Sequence, residues 1–266
     1  MSDVLQAIVA GARHSAEARM RDVPMSRMEQ LAADAQPRGA AFHESLRTDG
    51  VRIIAECKRR SPSRGVLREH YVPAEIAAGY AQAGAAGISV LTEPSFFDGS
   101  LDHLRAVRAS MATPVLRKDF IVNTYQIAEA RACGADAVLL IVAALTDEAL
   151  AQLSTYAADL ELMSLVEVHT AEELSRAISA GAQVIGINSR SLRTLDVDTS
   201  LFERIVESIP DECVAIAESG IRAPEDVRRL RSVGFDAFLI GERFMTDPDP
   251  GASLAAFMAA AEKGDR

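Results

Sequence analysis

Hydrophobic and polar positions change period along this 266-residue chain. In residues 2–22, Val4, Leu5, Ile8, Val9 and Ala12 recur at helical spacing with charges between them, which predicts an amphipathic helix. Ser26 is a candidate cap for a second short helix through Ala35, ended by the Pro37–Gly39 break, and a further helical turn spans Phe42–Arg47. From Val51 onward short β-rich runs alternate with helical ones: Arg52–Cys57, Ile88–Leu91, Val115–Arg117, Ala137–Val142, Ser164–Val168, Val184–Ile187, Val214–Ala217 and Ala237–Ile240. Helices are expected to start near Pro73, Ser100, Tyr125, Asp147, Ala171, Thr199 and Pro224, with a last one near residue 251. Strands that alternate with helices are joined by right-handed crossovers and lie parallel.

A spaced glycine supports the count of eight. Gly84, Gly134, Gly181 and Gly234 recur at intervals of 50, 47 and 53 residues, each between a helix and the next strand. Glycine there supplies the left-handed residue that ends a helix, and each interval covers two βα units. An open doubly wound sheet would carry a glycine-rich phosphate fingerprint after its first strand, and neither GxGxxG nor GxxxxGK[ST] is present. The expected fold is therefore α/β: a single domain over 1–266, with an N-terminal helical extension over 1–50 covering one end of a (β/α)8 TIM barrel over 51–266.

Composition narrows the function classes. The 28 basic and 38 acidic residues leave a net charge of −10, which argues against nucleic acid and anionic membrane as partners. Cys57, Cys133 and Cys213 are too scattered for a disulfide framework or a zinc site and suit a reducing compartment. The longest uncharged apolar stretch, Ala137–Thr146, is about half a membrane span, and no secretory leader is visible. A soluble, cytoplasmic protein is expected. None of the five histidines falls within a predicted strand, so neither a histidine triad nor a histidine metal site is expected.

In a barrel, chemistry sits at the C-terminal strand ends, and phosphate near strands seven and eight. Those ends carry Glu56 and Lys58, Lys118 and Asp119, Glu167, then Asn188, Ser189 and Arg190, then Glu218, Ser219 and Gly220, and last Gly241. Charges placed in apolar strand runs cost several kcal/mol to bury unless paired or used. Two lysines facing three glutamates form a coupled cluster in which desolvated or crowded lysines are expected to shift toward neutral pH. Ser219-Gly220 and Gly241 are candidate phosphate grips at the starts of the following helices. Cys57 alternates with Glu56 and Lys58, so it is expected to face the other way and pack. Thr92 and Glu93 fit a binding loop and a plain turn equally.

The segment Ile54-Ala-Glu56-Cys-Lys58-Arg-Arg-Ser61-Pro62-Ser63 resembles the E-x-K-x-x-S-P motif of the indole-3-glycerol phosphate synthase family. The likeness continues at Ser89–Glu93 with Phe96–Ser100, Leu116–Phe120, Leu165–His169, Ile185–Arg190, Ala217–Ile221 and Leu239–Glu242, in the family's order. The resemblance implies ring closure of 1-(2-carboxyphenylamino)-1-deoxyribulose 5-phosphate with loss of carbon dioxide and water, and no cofactor or metal. It further implies Lys118 as the acid at the substrate carbonyl, Glu167 and Lys58 as the other acid–base groups, Glu56 and Glu218 as groups that orient the lysines, and Asn188 on a substrate hydroxyl or the anthranilate portion. Ser61, Gly220 and Gly241 match phosphate contacts, with Ser219 beside them. Phe97 and Leu239 match walls of the aromatic pocket, Phe120 is an added wall, and Arg190 lies beside the anthranilate carboxylate. Some relatives have Ser where this chain has Glu242, so only the backbone of Glu242 is expected to serve and its side chain to point away. The partner implied is an anionic, phosphorylated small molecule, with neither nucleic acid nor membrane, and the chain is expected to be a monomer or weak homodimer. The alternative reading is another barrel enzyme on a phosphorylated sugar, such as a phosphoribosyl isomerase.

Overall fold

A computed structural model describes residues 4–263. Eight parallel strands close into a barrel: β1 (Arg52–Cys57), β2 (Gly87–Leu91), β3 (Val115–Lys118), β4 (Ala137–Ile141), β5 (Met163–Val168), β6 (Val184–Asn188), β7 (Val214–Glu218) and β8 (Ala237–Ile240). Each strand pairs with its sequence neighbours, and β1 closes the ring against β8. The eightfold alternation read from the sequence is the observed architecture. The four spaced glycines all lie in left-handed backbone, with φ of 90°, 87°, 77° and 109°.

Period-two alternation sorts every strand into two shells. Ile53, Ala55 and Cys57 of β1 face outward into the layer between sheet and helices, while Ile54 joins Leu116, Leu139, Leu165, Ile216 and Leu239 in the barrel interior. Continuing that inward phase to the strand ends brings Glu56, Lys118, Glu167, Asn188 and Glu218 to one rim. Cys57 packs outward, as its alternation predicts. Arg117 has the outward phase, is fully buried, and is paired with Asp119 at 2.8 Å and Glu129 at 3.0 Å.

The N-terminal extension forms three helices: α1 (Val4–Asp22), α2 (Met25–Ala33) and α3 (Gly39–Arg47). Residues 2 and 3 of the predicted first helix lie outside the described residues. Helix α2 starts ahead of Ser26, behind Pro24, whose fixed φ of −59° sets the entry to the helix without a side-chain cap. The extension does more than cover one end. Helix α1 turns Leu5, Ile8 and Ala12 to the interior cluster at the C-terminal rim, where it meets the turn Val142–Ala144. Helix α3 plugs the opposite end, where Phe42 packs against Gly87 at the start of β2 and Gly39 abuts the Glu161–Met163 backbone. Helical period identified these apolar faces but not which end of the barrel each would meet. Phe42→Ala is expected to cost about 3–5 kcal/mol, because it opens a cavity in a fully buried plug. Since the rim lies at the other end, a melting curve should shift while kcat stays near the parent value.

Several short elements escaped the sequence reading, among them the single turns Val142–Ala144 and Val206–Ser208. Arg60–Ser61 pairs antiparallel with Gly65–Val66 in the loop after β1. Pro94–Phe97 forms one helical turn, and Glu242–Met245 another. Segments of two to four residues carry too few positions for a period to register. Among the described residues, no helix is long and apolar enough to cross a membrane.

Candidate active site

The C-terminal rim opens into a cavity of about 370 Å³. Its walls include Glu56, Lys58, Ser61, Phe97, Lys118, Phe120, Glu167, Asn188, Arg190, Glu218, Ser219, Gly220, Leu239, Gly241 and Glu242. Every site residue expected from the sequence therefore borders one space. Ile8 from α1, Leu139 and Ile141 from β4, and Leu192, Leu195 and Val197 from the loop after β6 add apolar wall that the sequence reading did not assign. The rings of Phe97 and Phe120 lie 6.3 Å apart, centroid to centroid, and form an aromatic side to the cavity.

The charged groups fall into two sets. Lys58 Nζ sits 2.5 Å from Glu56 Oε1, two residues away on the same inward face. Lys118 Nζ donates to Glu218 Oε2 at 2.5 Å and to Glu167 Oε2 at 3.1 Å, so one ammonium bridges carboxylates 49 and 100 residues along the chain. Side chains of Lys118, Glu167 and Glu218 are 13%, 2% and 2% exposed, so these charges meet little water. Glycines make room for the carboxylates. A methyl group on Gly241 would lie 2.6 Å from Glu56 Oε1, and one on Gly186 would overlap the Glu218 carboxylate.

Titration follows from this packing and corrects the expectation for Lys118. Burial pulls Lys118 downward, but Glu218, Glu167 and Glu56 outweigh it, and its ammonium is held well above the usual lysine range. Burial raises Glu167, yet Lys118 and His169 overcome that and keep it ionised below the usual range. Glu218 goes the other way: burial raises it, Lys118 lowers it, Glu167 raises it again, and the group is pushed up to about 7. The group tuned to neutral pH is thus a carboxylate, because two glutamates share one ammonium.

A carboxyl whose folded value is raised favours the fold while protonated. Its contribution is present below the unfolded value of about 4.5 and is lost as pH rises through about 7. Glu218→Gln removes that titration. Its melting temperature relative to the parent protein should rise between pH 4.5 and pH 8, and a constant difference across that window would contradict the assignment.

Around the rim, Ser61 is buried with no hydrogen-bond partner for its Oγ, and Ser189 Oγ is likewise unpartnered. Ser219 and Gly220 both adopt left-handed backbone, with φ of 65° and 73°. Asn188 Oδ1 accepts the backbone N–H of Arg190 at 3.0 Å, which leaves the amide nitrogen as the group able to donate elsewhere. Arg190 is braced by the Leu195 carbonyl at 3.0 Å. The expectation for Glu242 fails. Its side chain reaches across the mouth rather than away, with Arg64 at 2.8 Å and Arg190 at 3.8 Å, because two guanidinium groups converge on it there. Glu93 is a turn residue: its carboxylate accepts from the backbone N–H groups of Ser95 at 2.9 Å and Phe96 at 2.7 Å. Thr92 bonds Asp119 at 2.5 Å and accepts from buried Arg117, a structural bracket behind the site.

Among the described residues, no group of three or more His, Cys, Asp and Glu side chains is placed to hold a metal ion.

Comparison with solved structures finds the same barrel in distant company. A thiamine phosphate pyrophosphorylase from Pyrococcus furiosus superposes with a TM-score of 0.61 at 17% identity, over 85% of this chain and 100% of that one. KGPDC from Streptococcus mutans gives 0.62 at 12% identity, over 81% and 99%. At such identities the likeness shows the fold alone. Curated relatives are far nearer. Indole-3-glycerol phosphate synthase of Saccharopolyspora erythraea is 48% identical over 257 residues, covering 97% of this chain and 95% of its own. The protein of the same name from Albidiferax ferrireducens is 45% identical over 267 residues, covering 98% and 100%. The family model described as Indole-3-glycerol phosphate synthase matches residues 5–257. That span takes in helix α1 from Leu5 onward, all eight strands and every residue on the cavity wall, and with it this chain belongs to the indole-3-glycerol phosphate synthase family.

Proposed function

We propose that this cavity closes the ring of 1-(2-carboxyphenylamino)-1-deoxyribulose 5-phosphate to indole-3-glycerol phosphate, a carboxy-lyase reaction in the biosynthesis of tryptophan. Lys118 is the acid: its ammonium, held by two carboxylates at the cavity wall, donates to the ribulose carbonyl as the aromatic carbon attacks it. Carbon dioxide then leaves and restores the aromatic ring. Glu167 and Lys58 serve the proton transfers of closure and dehydration, during which a hydroxyl departs as water and a ring proton is taken. Glu56 orients Lys58, and Glu218 orients Lys118.

Substrate binding divides along the rim. The phosphate lies against Ser61, Ser219, Gly220 and Gly241, where a buried hydroxyl without a protein partner supports an anion acceptor. The phenyl ring lies among Phe97, Phe120 and Leu239, since an aromatic ring needs apolar walls. Asn188 holds a substrate hydroxyl, and Arg190 meets the anthranilate carboxylate, for which it exchanges its contact with Glu242. Glu242 itself contributes its backbone.

The observation that carries this reading is the single ammonium of Lys118 bridging Glu167 and Glu218 beside an aromatic wall. The test is the appearance of indole fluorescence when purified protein meets the substrate, with EDTA present and no nucleotide added. Turnover that needs a divalent metal would overturn the cofactor-free assignment. Ser61→Ala should raise KM more than it lowers kcat, because phosphate binding is largely shared by ground and transition states.

A further inference from the structure

His169 stands two residues beyond Glu167, and period-two alternation turns both side chains the same way. It does not border the cavity. It lies behind Glu167, with Nε2 3.4 Å from Glu167 Oε1, the oxygen that Lys118 does not hold. Its other ring nitrogen, Nδ1, is 2.9 Å from the backbone carbonyl of Asn188 on β6. A carbonyl can only accept, so Nδ1 carries a proton. The state of Nε2 then follows from its neighbour. A neutral ring with Nδ1–H would aim the Nε2 lone pair at a buried carboxylate oxygen, whereas a second proton turns the same contact into an ion pair. Both Nε2 and Oε1 are buried with no hydrogen-bond partner, so a proton between them is what would pair both, and Lys118 on the other oxygen of Glu167 favours the ionised carboxylate and so places that proton on Nε2.

We propose that His169 is a positioning residue: an imidazolium that pins the free oxygen of Glu167, ties the end of β5 to Asn188 on β6, and keeps Glu167 ionised and aimed at the cavity. This rests on the role of Glu167 proposed above. Two carboxylates lie around His169. Glu167 approaches from β5, and Glu173, from the helix Ala171–Ser179, accepts the His169 backbone N–H at 2.7 Å. Lys118 is the opposing charge, on the far oxygen of Glu167. Burial lowers the imidazolium, but Glu167, the Asn188 carbonyl and Glu173 together raise it above the ordinary histidine value. The contact also gives Glu167 a cation on each oxygen, so the carboxylate cannot rotate without giving up one of them.

Two measurements test this. Long-range 15N–1H spectra at pH 7.5, without substrate, should show both ring nitrogens of His169 protonated in the parent protein. Glu167→Gln should return the ring to the neutral Nδ1–H form. In turnover, His169→Ala should lower kcat on the order of 10–100-fold, the range that outer partners of functional side chains carry at metal sites, with KM within roughly threefold. His169→Gln, whose amide can still donate to Oε1, should recover most of the loss, which a purely space-filling role would not produce. A ring that is neutral at pH 7.5 in the parent protein overturns the proposal, as does full kcat in His169→Ala. If His169→Ala keeps kcat while Glu167→Gln loses it, His169 alone is misassigned. If Glu167→Gln keeps kcat, the role of Glu167 falls, and that of His169 with it.

Discussion

Lys118→Arg will lower kcat by about 10²–10⁴-fold and leave KM nearly unchanged, the range that a positioned general acid contributes. The substitution preserves charge, and because the Lys118 ammonium is itself held well above the usual lysine range, the loss is geometric: a guanidinium cannot place a proton where the compact ammonium does. The lysine ammonium fits between Glu218 Oε2 at 2.5 Å and Glu167 Oε2 at 3.1 Å, and a planar fork is too wide to take both contacts from the same place. Because the proton moves only as the ring closes, the deficit belongs to the transition state, so kcat and kcat/KM should fall together. A variant that keeps kcat and loses only affinity would make Lys118 an electrostatic anchor and move the acid to Lys58.

Gly186→Ala should be nearly as damaging, although Gly186 makes no chemical contribution. Its place on β6 lies in register with Glu167 on β5 and Ile216 on β7, facing the barrel interior. An added methyl would overlap the Glu218 carboxylate and come within 3.1 Å of Leu165 Cδ1. Glu218 would have to rotate, which breaks its contact with Lys118. The expected result is a loss of kcat of at least about 100-fold, comparable with losing the orientation of the acid. Overpacking should also cost about 1–3 kcal/mol, a fall of several degrees in Tm. Gly11→Ala is the matched control: a methyl there meets nothing within 4 Å on helix α1, and the exchange should slightly raise Tm by favouring the helix. Parent-level kcat in Gly186→Ala would show that Glu218 does not depend on the space this glycine leaves.

Local pattern was enough to determine the element order, the parallel eightfold barrel and the rim on which the chemistry lies. The reason is physical. Alternation of period two decides which side chains of a strand point inward, so Glu56 after Ile54, Lys118 after Leu116 and Glu167 after Leu165 were bound to face the interior whatever the rest of the chain did. The glycine spacing identified helix ends for a similar reason, because a left-handed residue is a local requirement. What the sequence could not decide was partnership. Lys118 has Glu167 and Glu218 as partners, rather than Glu56, through strand register and barrel closure, and both act over long separations in the chain. The same holds for Glu242, turned across the mouth by arginines from two other loops, and for α1 and α3, sent to opposite ends by the shapes they meet. His169 lay between these cases: its phase pointed it along Glu167, but only the Asn188 carbonyl, brought alongside by β6, determines which nitrogen carries its proton. Periodicity is written residue by residue, whereas contacts and protonation follow from what closure of the barrel places at about 3 Å.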